Sequence, residues 1–310
     1  MEVGMKRNGC MANELVSPDL FLPPPALVAQ LKLRAPELQM LPAVAIQAMK
    51  VSKKPDCSIA EYSKVVEQDL KLMTDMLKLA NSAMYSPTTP IVSLHQAVLR
   101  LGLVQCQNLI LSASATSMMK RISLGQKAIR EALTEHGFIT ALLATQLNQL
   151  FRLGFMGEEF TGGLIHDFGR TLLAITTPDQ FFSFDTLEFD ETHELLNRER
   201  LVVGTDHCRL GAYYAISQQL PEQLQEVILF HHQPEMAGDH QKLTALIAVA
   251  DHMANHLQRF KESANYDPTS NPFLSTLANF ADSKFTTQFT EMSVSLIEKA
   301  KHDAQHMLLS

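Results

Sequence analysis

Tryptophan is absent from this chain, and its four cysteines are scattered. Cys10, Cys57, Cys106 and Cys208 form no CxxC pair, so neither a zinc ribbon nor a disulfide framework is indicated, and a reducing compartment suits them. An excess of positive charge is also missing, since 26 Lys and Arg stand against 33 Asp and Glu, for a net charge of -7 and a pI near 5.9. No global field therefore draws the protein onto nucleic acid or anionic lipid. The lack of a basic aromatic surface pattern points the same way, and the basic pairs Lys6 with Arg7 and Lys53 with Lys54 are short. No stretch approaches the roughly 18 apolar residues of a membrane span, and MEVGMKRNGCMANEL lacks the apolar stretch of a signal peptide. The expectation is a cytoplasmic protein with neither a membrane nor a nucleic acid as partner. Walker, GxGxxG and GxSxG signatures do not occur.

What is present is an ordinary soluble composition, 46% hydrophobic and 19% charged with a mean hydropathy of -0.02. The 310 residues allow two core-forming units, or one large unit with helical extensions. Residues 1–17 read as a polar tail, and the Pro23-Pro24-Pro25 run disfavours helix before Ala26. Helix starts then follow: Pro42 ahead of AVAIQAMKV, and the capping-box forms Ser58-x-x-Glu61, Ser93-x-x-Gln96 and Ser123-x-x-Gln126. Strand signals are poor. FFSFDTLEF at 181–189 alone alternates aromatics, and its isolation marks it as a connecting loop. The chain is predicted to be all-α. MKRISLGQ interrupts the pattern near 119–125, which divides it into an N-terminal helical unit over 18–120, a second unit over 123–260, and further helices over 261–310.

The informative residues are polar ones that fall on apolar stripes. On a helix from about 127 to 152, His136 shares a face with Ile129 and Leu133. In a helix over 158–175, His166 and Arg170 align with Leu173, and Asp167 adjoins them. His207 aligns with Leu210 and Tyr214, His231 with Leu224 and Ile228, and His232 follows Ile228 by one turn. Asp251 aligns with Leu243 and Ile247. One inward histidine is usually a hydrogen-bonded core residue. Several successive helices doing this raise a cost, because an unpartnered buried polar group loses about 1–3 kcal/mol and a charge loses more. Convergence on a shared divalent cation is the economical solution. Imidazole and carboxylate donors suit Fe, Mn, Zn, Co or Ni, as one ion or two. Asp167, adjacent to His166, is placed to bridge a pair of ions, and such a pair lowers the pKa of bound water and clamps the oxygens of a phosphoryl group. Arg170 is either a phosphate ligand or a salt-bridging residue, and Gly169 serves either ligand approach or helix packing. The pairs His252 with His256 and His302 with His306 are expected to be solvated. Cys208 beside His207 does not by itself make a catalytic dyad.

LKLRAPELQMLPAVAIQAMKV, SIAEYSKVVEQDLKLMTDMLKLANSAMYS and IVSLHQAVLRLGLVQCQNLIL resemble the N-terminal helices of an HDOD domain. GGLIHDFGRTLLAI, GTDHCRLGAYYA, LFHHQPE and IAVADHMAN resemble its HD-related second part. The resemblance spans roughly residues 26 to 258. It implies a helical bundle packed on an HD-like helical core and a regulatory role in bacterial signalling, in a family whose HD-like part often lacks metal ligands. This chain keeps the order His136, His166-Asp167, His207, His231-His232, Asp251, which is similar to the metal-binding order of HD-GYP phosphodiesterases. It departs from them in three places. Ala132 stands where a glutamate would support a third metal, Arg170 replaces the lysine of HDIGK, and QPEMAGDHQK carries no GYP signature, which argues against cyclic-di-GMP hydrolysis. Two functions follow. One is a signalling module with a protein partner and a structural or ligand-sensing metal site. The other is a metal-dependent phosphohydrolase acting on a phosphate-containing small molecule, with Asp167 and Arg170 catalytic.

Overall fold

Ser58 and Ser93 each stand just ahead of a helix and accept a hydrogen bond from the backbone N–H three residues on, at 3.0 Å from Glu61 and 3.2 Å from Gln96. This satisfies one of the donors that a helix start leaves open. The reciprocal arm at Ser93 is shifted, because Gln96 Oε1 accepts from Val92 N instead. The computed structural model describes residues 22–39, 41–52, 54, 56–81, 89–121, 127–190 and 193–309. The tail expected over 1–17 and the third box, Ser123 to Gln126, lie outside them.

The N-terminal helices are α1 (Pro25–Leu38), α2 (Ala43–Ser52), α3 (Ile59–Val66), α4 (Leu70–Ala80), α5 (Leu94–Leu101) and α6 (Leu103–Arg121). The second set comprises α7 (Lys127–Phe151), α8 (Glu158–Ile165), α9 (Phe168–Thr176), α10 (Phe181–Phe184), α11 (His193–Val203), α12 (His207–Ser217), α13 (Glu222–Phe230) and α14 (Gln241–Phe260). Beyond it come α15 (Leu274–Ala278) and α16 (Phe285–Leu309). No strand occurs among the described residues, so the chain is all-α.

Helix α7 is buried along most of its length and packs against α8, α14 and α16. The two sets are joined through polar as well as apolar contacts. Asn108 Nδ2 on α6 donates to Met156 O at 2.9 Å and to Glu158 Oε2 at 2.8 Å, and Ser112 Oγ lies 2.8 Å from Thr161 Oγ1. Tyr214 Oη on α12 donates to Leu38 O of α1 at 3.0 Å. One apolar core runs from Leu27 to Ala304, passing across the α6 to α7 junction where the sequence pattern breaks.

Two expectations are corrected here. The helix expected over 158–175 is two helices, broken at His166 and Asp167. The segment expected as a loop from 181 opens with a helical turn, α10, because Phe181 and Phe184 bury one face of it.

Glycine sets the close approach of α9 to α12. A Cβ on Gly169 would lie 1.8 Å from His207 O, which is backbone and cannot yield, so helix packing accounts for this glycine. Gly169→Ala is expected to lower stability by about 3 kcal/mol, at the upper end for overpacking, because His207 must move with α12. Gly102, at φ +82° with nothing within 4 Å of its would-be Cβ, gives the comparison. Gly102→Ala costs only left-handed backbone strain, about 1–2 kcal/mol. Denaturant midpoints measure both, and equal shifts would contradict the close approach.

Candidate metal centre

Six helices aim side chains at one point. His136 comes from the middle of α7, His207 from the first turn of α12, His231 and His232 from the end of α13, and Asp251 from α14. His166 caps the end of α8, and Asp167 stands at the start of α9. On an unbroken helix, neighbouring side chains diverge by about 100°. The break between α8 and α9 lets His166 and Asp167 face the same centre. Gly163, whose Cβ would lie 2.6 Å from Ala141 Cα, brings the end of α8 close to α7.

The outer nitrogens of the histidines define what the inner ones can do. His166 Nδ1 donates to Gly163 O at 2.8 Å, and His231 Nδ1 donates to Ile228 O at 3.0 Å. His207 Nδ1 donates to the Glu199 carboxylate at 2.9 Å. Gln258 Nε2 donates to Ala132 O at 3.1 Å, which turns Oε1 toward His136 Nδ1 at 2.6 Å. Where these imidazoles are neutral the proton is thus on Nδ1 and the lone pair is on Nε2, and against burial the anionic groups around them raise His166 and His207. Those lone pairs point inward. His136 Nε2 and His166 Nε2 are 3.2 Å apart, as are His207 Nε2 and His232 Nε2.

The acids divide the cluster into two lobes. In the first, Asp251 Oδ1 lies 2.9 Å from His136 Nε2 and 3.3 Å from His166 Nε2, and Asp167 Oδ2 lies 3.6 and 3.8 Å from the same nitrogens. In the second, Asp167 Oδ1 lies 3.4 Å from Nε2 of both His207 and His231. Asp167 Oδ1 and His231 Nε2 are buried with no hydrogen-bond partner. Acceptors facing acceptors, with two orphans among them, are repulsive unless a proton or a metal cation lies between. The spacings suit a metal, because ligands bound at about 2.1 Å stand about 3.0–3.4 Å apart in octahedral or tetrahedral shells. His136, His166, Asp167 and Asp251 would hold one ion. Asp167, His207, His231 and His232 would hold a second.

Electrostatics sharpen the division. Burial pushes the Asp167 carboxyl up, but His166 and the Arg170 guanidinium outweigh it and hold it well below the usual carboxylate range. Asp251 is held down in the same way, against burial, by His166 and His136. Burial depresses His231 and His232, which keeps both imidazoles neutral and able to ligate.

Arg170 is 1% exposed. Its Nη1 donates to Asp167 Oδ2 at 2.9 Å, and its Nε and Nη2 donate to Asp185 at 2.8 and 3.0 Å. The guanidinium is therefore built into a buried ion triad that orients Asp167. Asp185 begins a strap over the centre. Its Oδ1 accepts from Leu187 N at 3.0 Å, and Leu187 and Phe189 both adopt left-handed φ, +59° and +50°. Phe189 stacks on His136 with ring centroids 5.1 Å apart and lies 5.0 Å beneath the Arg170 guanidinium carbon.

The sequence-derived set thus comes together. Glu199, Gln258, Asp185 and Phe189 were not singled out, because each acts through a partner on a distant element. Cys208 is the other addition: its thiol lies with His207, His231 and His232, close enough to be a further donor. Its burial pushes it up to about 12, so as a free thiol it is uncharged at neutral pH. His252 and His256 are not solvated as expected. Both are half-buried, with rings 5.8 and 5.2 Å from that of Tyr266, because the loop after α14 folds back over them. His302 is exposed, and the His306 side chain lies outside the described residues.

The HDOD domain family model matches residues 38–234, so the chain belongs to the HDOD family. A protein of Treponema pallidum (strain Nichols) is 23% identical over 226 residues, 73% of this chain and 44% of that protein, so the chain spans less than half of that relative. An HDOD domain protein of Geobacter sulfurreducens superposes with a TM-score of 0.68 at 22% identity, over 91% of this chain and 98% of the other. A candidate phosphohydrolase of Shewanella amazonensis SB2B gives 0.61 at 22% identity, over 92% and 99% of the two chains. A candidate signal transduction protein of Marinobacter aquaeolei VT8 gives 0.60 at 18% identity, over 93% and 60%. At these identities the likeness is one of fold.

Proposed function

We propose that this protein is a bacterial signal-transduction module that keeps a dinuclear divalent-metal centre in its HD-like half and uses it to hold the fold and sense a ligand. Enclosure is the observation that carries this reading. His136, His166, His207 and His231 are fully buried, Asp167 and Asp251 are 6% and 2% exposed, and Phe189 lies across His136. A turnover site must open the face of its metals to substrate, whereas this centre is closed on every side but that of His232, which is part-exposed. The output would pass to a protein partner, and α11, directly after the strap, carries Leu201 at 87% exposure.

A second reading is favoured by one observation, the complete ligand set with Asp167 shared between lobes. A paired site of this kind supplies Lewis acidity for phosphoryl hydrolysis. On that reading Asp167 would bridge, and Arg170, engaged by Asp167 and Asp185, would position the bridge without touching substrate. A panel of phosphate mono- and diesters incubated with Mn- or Fe-loaded protein separates the two. The regulatory reading expects bound metal and no turnover above the free-metal control. Turnover that disappears in Asp167→Ala would favour the enzyme.

A further inference from the structure

Among the seven candidate ligands, His232 alone is not buried. It lines a cavity of about 110 Å³ together with Arg200, Asp206, Cys208, Arg209 and Phe230. Asp206 is fully buried and organises this mouth. Its Oδ1 caps α12 by accepting from Arg209 N at 2.9 Å. Its Oδ2 accepts from Arg200 Nε at 2.6 Å and lies 3.4 Å from Arg209 Nε. One buried carboxylate thus fixes two guanidiniums, whose side chains stay 40% and 45% exposed.

The balance of groups favours an anion. Both guanidiniums line the cavity and are part-exposed there, with Asp206 buried beneath them. Arg200 and Arg209 outnumber Asp206 at the mouth, and the neighbouring Glu199 carboxylate is buried and engaged by His207 N and Nδ1. At the floor, His232 Nε2 lies 3.2 Å from His207 Nε2 and belongs to the second lobe. Arginine forks match the oxygens of a phosphoryl group. Arg170 cannot serve there, because its guanidinium is buried between Asp167 and Asp185.

Size narrows the ligand. Pockets that enclose a drug-sized molecule run to about 300–1,000 Å³, and this cavity is well below that. It has room for a phosphoryl group and little else. We infer that the Arg200 and Arg209 mouth binds the phosphoryl group of a phosphate monoester, seated between the two guanidiniums and the His232 side of the metal centre, with the rest of the ester outside. This deepens the ligand-sensing reading and rests on it only for the metal side of the seat.

The test is calorimetric titration of inorganic phosphate and of phenyl phosphate into the full chain, metal-stripped and Mn-loaded, with metal content measured in every sample. Arg209→Gln and Arg200→Gln are compared with Arg100→Gln, an exposed arginine on α5 that makes the same change in net charge. Arg209→Gln leaves both the backbone cap on Asp206 and the Arg200 pair in place, so folding is kept. Loss of a charge-assisted contact is expected to weaken both ligands by about tenfold or more in either mouth variant, and not in the control. The loss should be seen with and without metal, and binding should be tighter with it. Equal binding in all variants, or an equal loss in the Arg100 control, overturns the site. Binding of inorganic phosphate but not of phenyl phosphate overturns the monoester assignment. Protein that takes up no Mn refutes the metal reading, while its metal-free titrations still decide the arginine mouth.

Discussion

Asp167→Ala is expected to empty both lobes of the centre at once. Each carboxylate oxygen serves a different group of imidazoles, Oδ2 the His136 and His166 pair and Oδ1 the His207 and His231 pair. Removing a residue that merely supports a ligand already costs about 10–100-fold in metal affinity, so deleting a shared ligand should leave under about a tenth of the wild-type metal. His232→Ala provides the contrast, since it touches the second lobe only and should leave the first ion in place. Stability should fall as well in Asp167→Ala, because the buried Arg170 keeps Asp185 as its counter-charge but loses the Asp167 contact at 2.9 Å. With the charge still paired, the cost is that of one buried charge-assisted hydrogen bond, about 1.5–3 kcal/mol. Elemental analysis and denaturant melts of the two variants side by side are decisive. Full metal occupancy in Asp167→Ala would remove the bridging role.

Phe189→Ala is expected to open the strap. The ring packs on His136 and under Arg170 and is 5% exposed. Truncating a buried Phe costs about 3–5 kcal/mol through lost burial and the cavity left behind. Part of that cost falls on the strap's local closing equilibrium, and each 1.4 kcal/mol of it speeds opening by about tenfold. Metal transfer from loaded protein to excess chelator should therefore be about tenfold faster or more, while the amount of metal bound at equilibrium without chelator changes little. Phe189→Leu, which keeps most of the volume, should lie between. A transfer rate indifferent to residue 189 would mean that metal leaves by another route, with the His232 side as the first place to look.

Much of this was legible in the residues. Helical period placed His136, His207, His231 and Asp251 inward on their own helices, and each of these is buried. The break at His166 and Asp167 was not legible, because GGLIHDFGR carries no proline and its one capping-type residue, Asp167, turns to the centre and accepts no hydrogen bond from the first turn of α9. Tertiary packing accompanies it: Gly163 lets the end of α8 close on α7, and Gly169 lets α9 close on α12. The role of Arg170 was left between phosphate and salt bridge, since its partner Asp185 lies beyond α9 in a segment read as loop. Glu199 and Gln258 were invisible for the same reason. Each supports a histidine from a distant part of the chain, with Glu199 on α11 reaching His207 and Gln258 on α14 reaching His136. The arginine mouth could not be read from spacing either, because Arg200 and Arg209 become neighbours only when Asp206 is buried between them.

Metal content is the most direct measurement of the central claim, that lone pairs turned toward one another at 3.2 Å across a buried centre share cations. The full chain is stripped with chelator, dialysed to equilibrium against Mn²⁺, Fe²⁺ or Zn²⁺, and assayed for metal per chain alongside Asp167→Ala. A paired site predicts about two ions per wild-type chain for at least one of these metals and almost none for the variant. Wild-type protein that binds none of the three more than Asp167→Ala does would contradict the account.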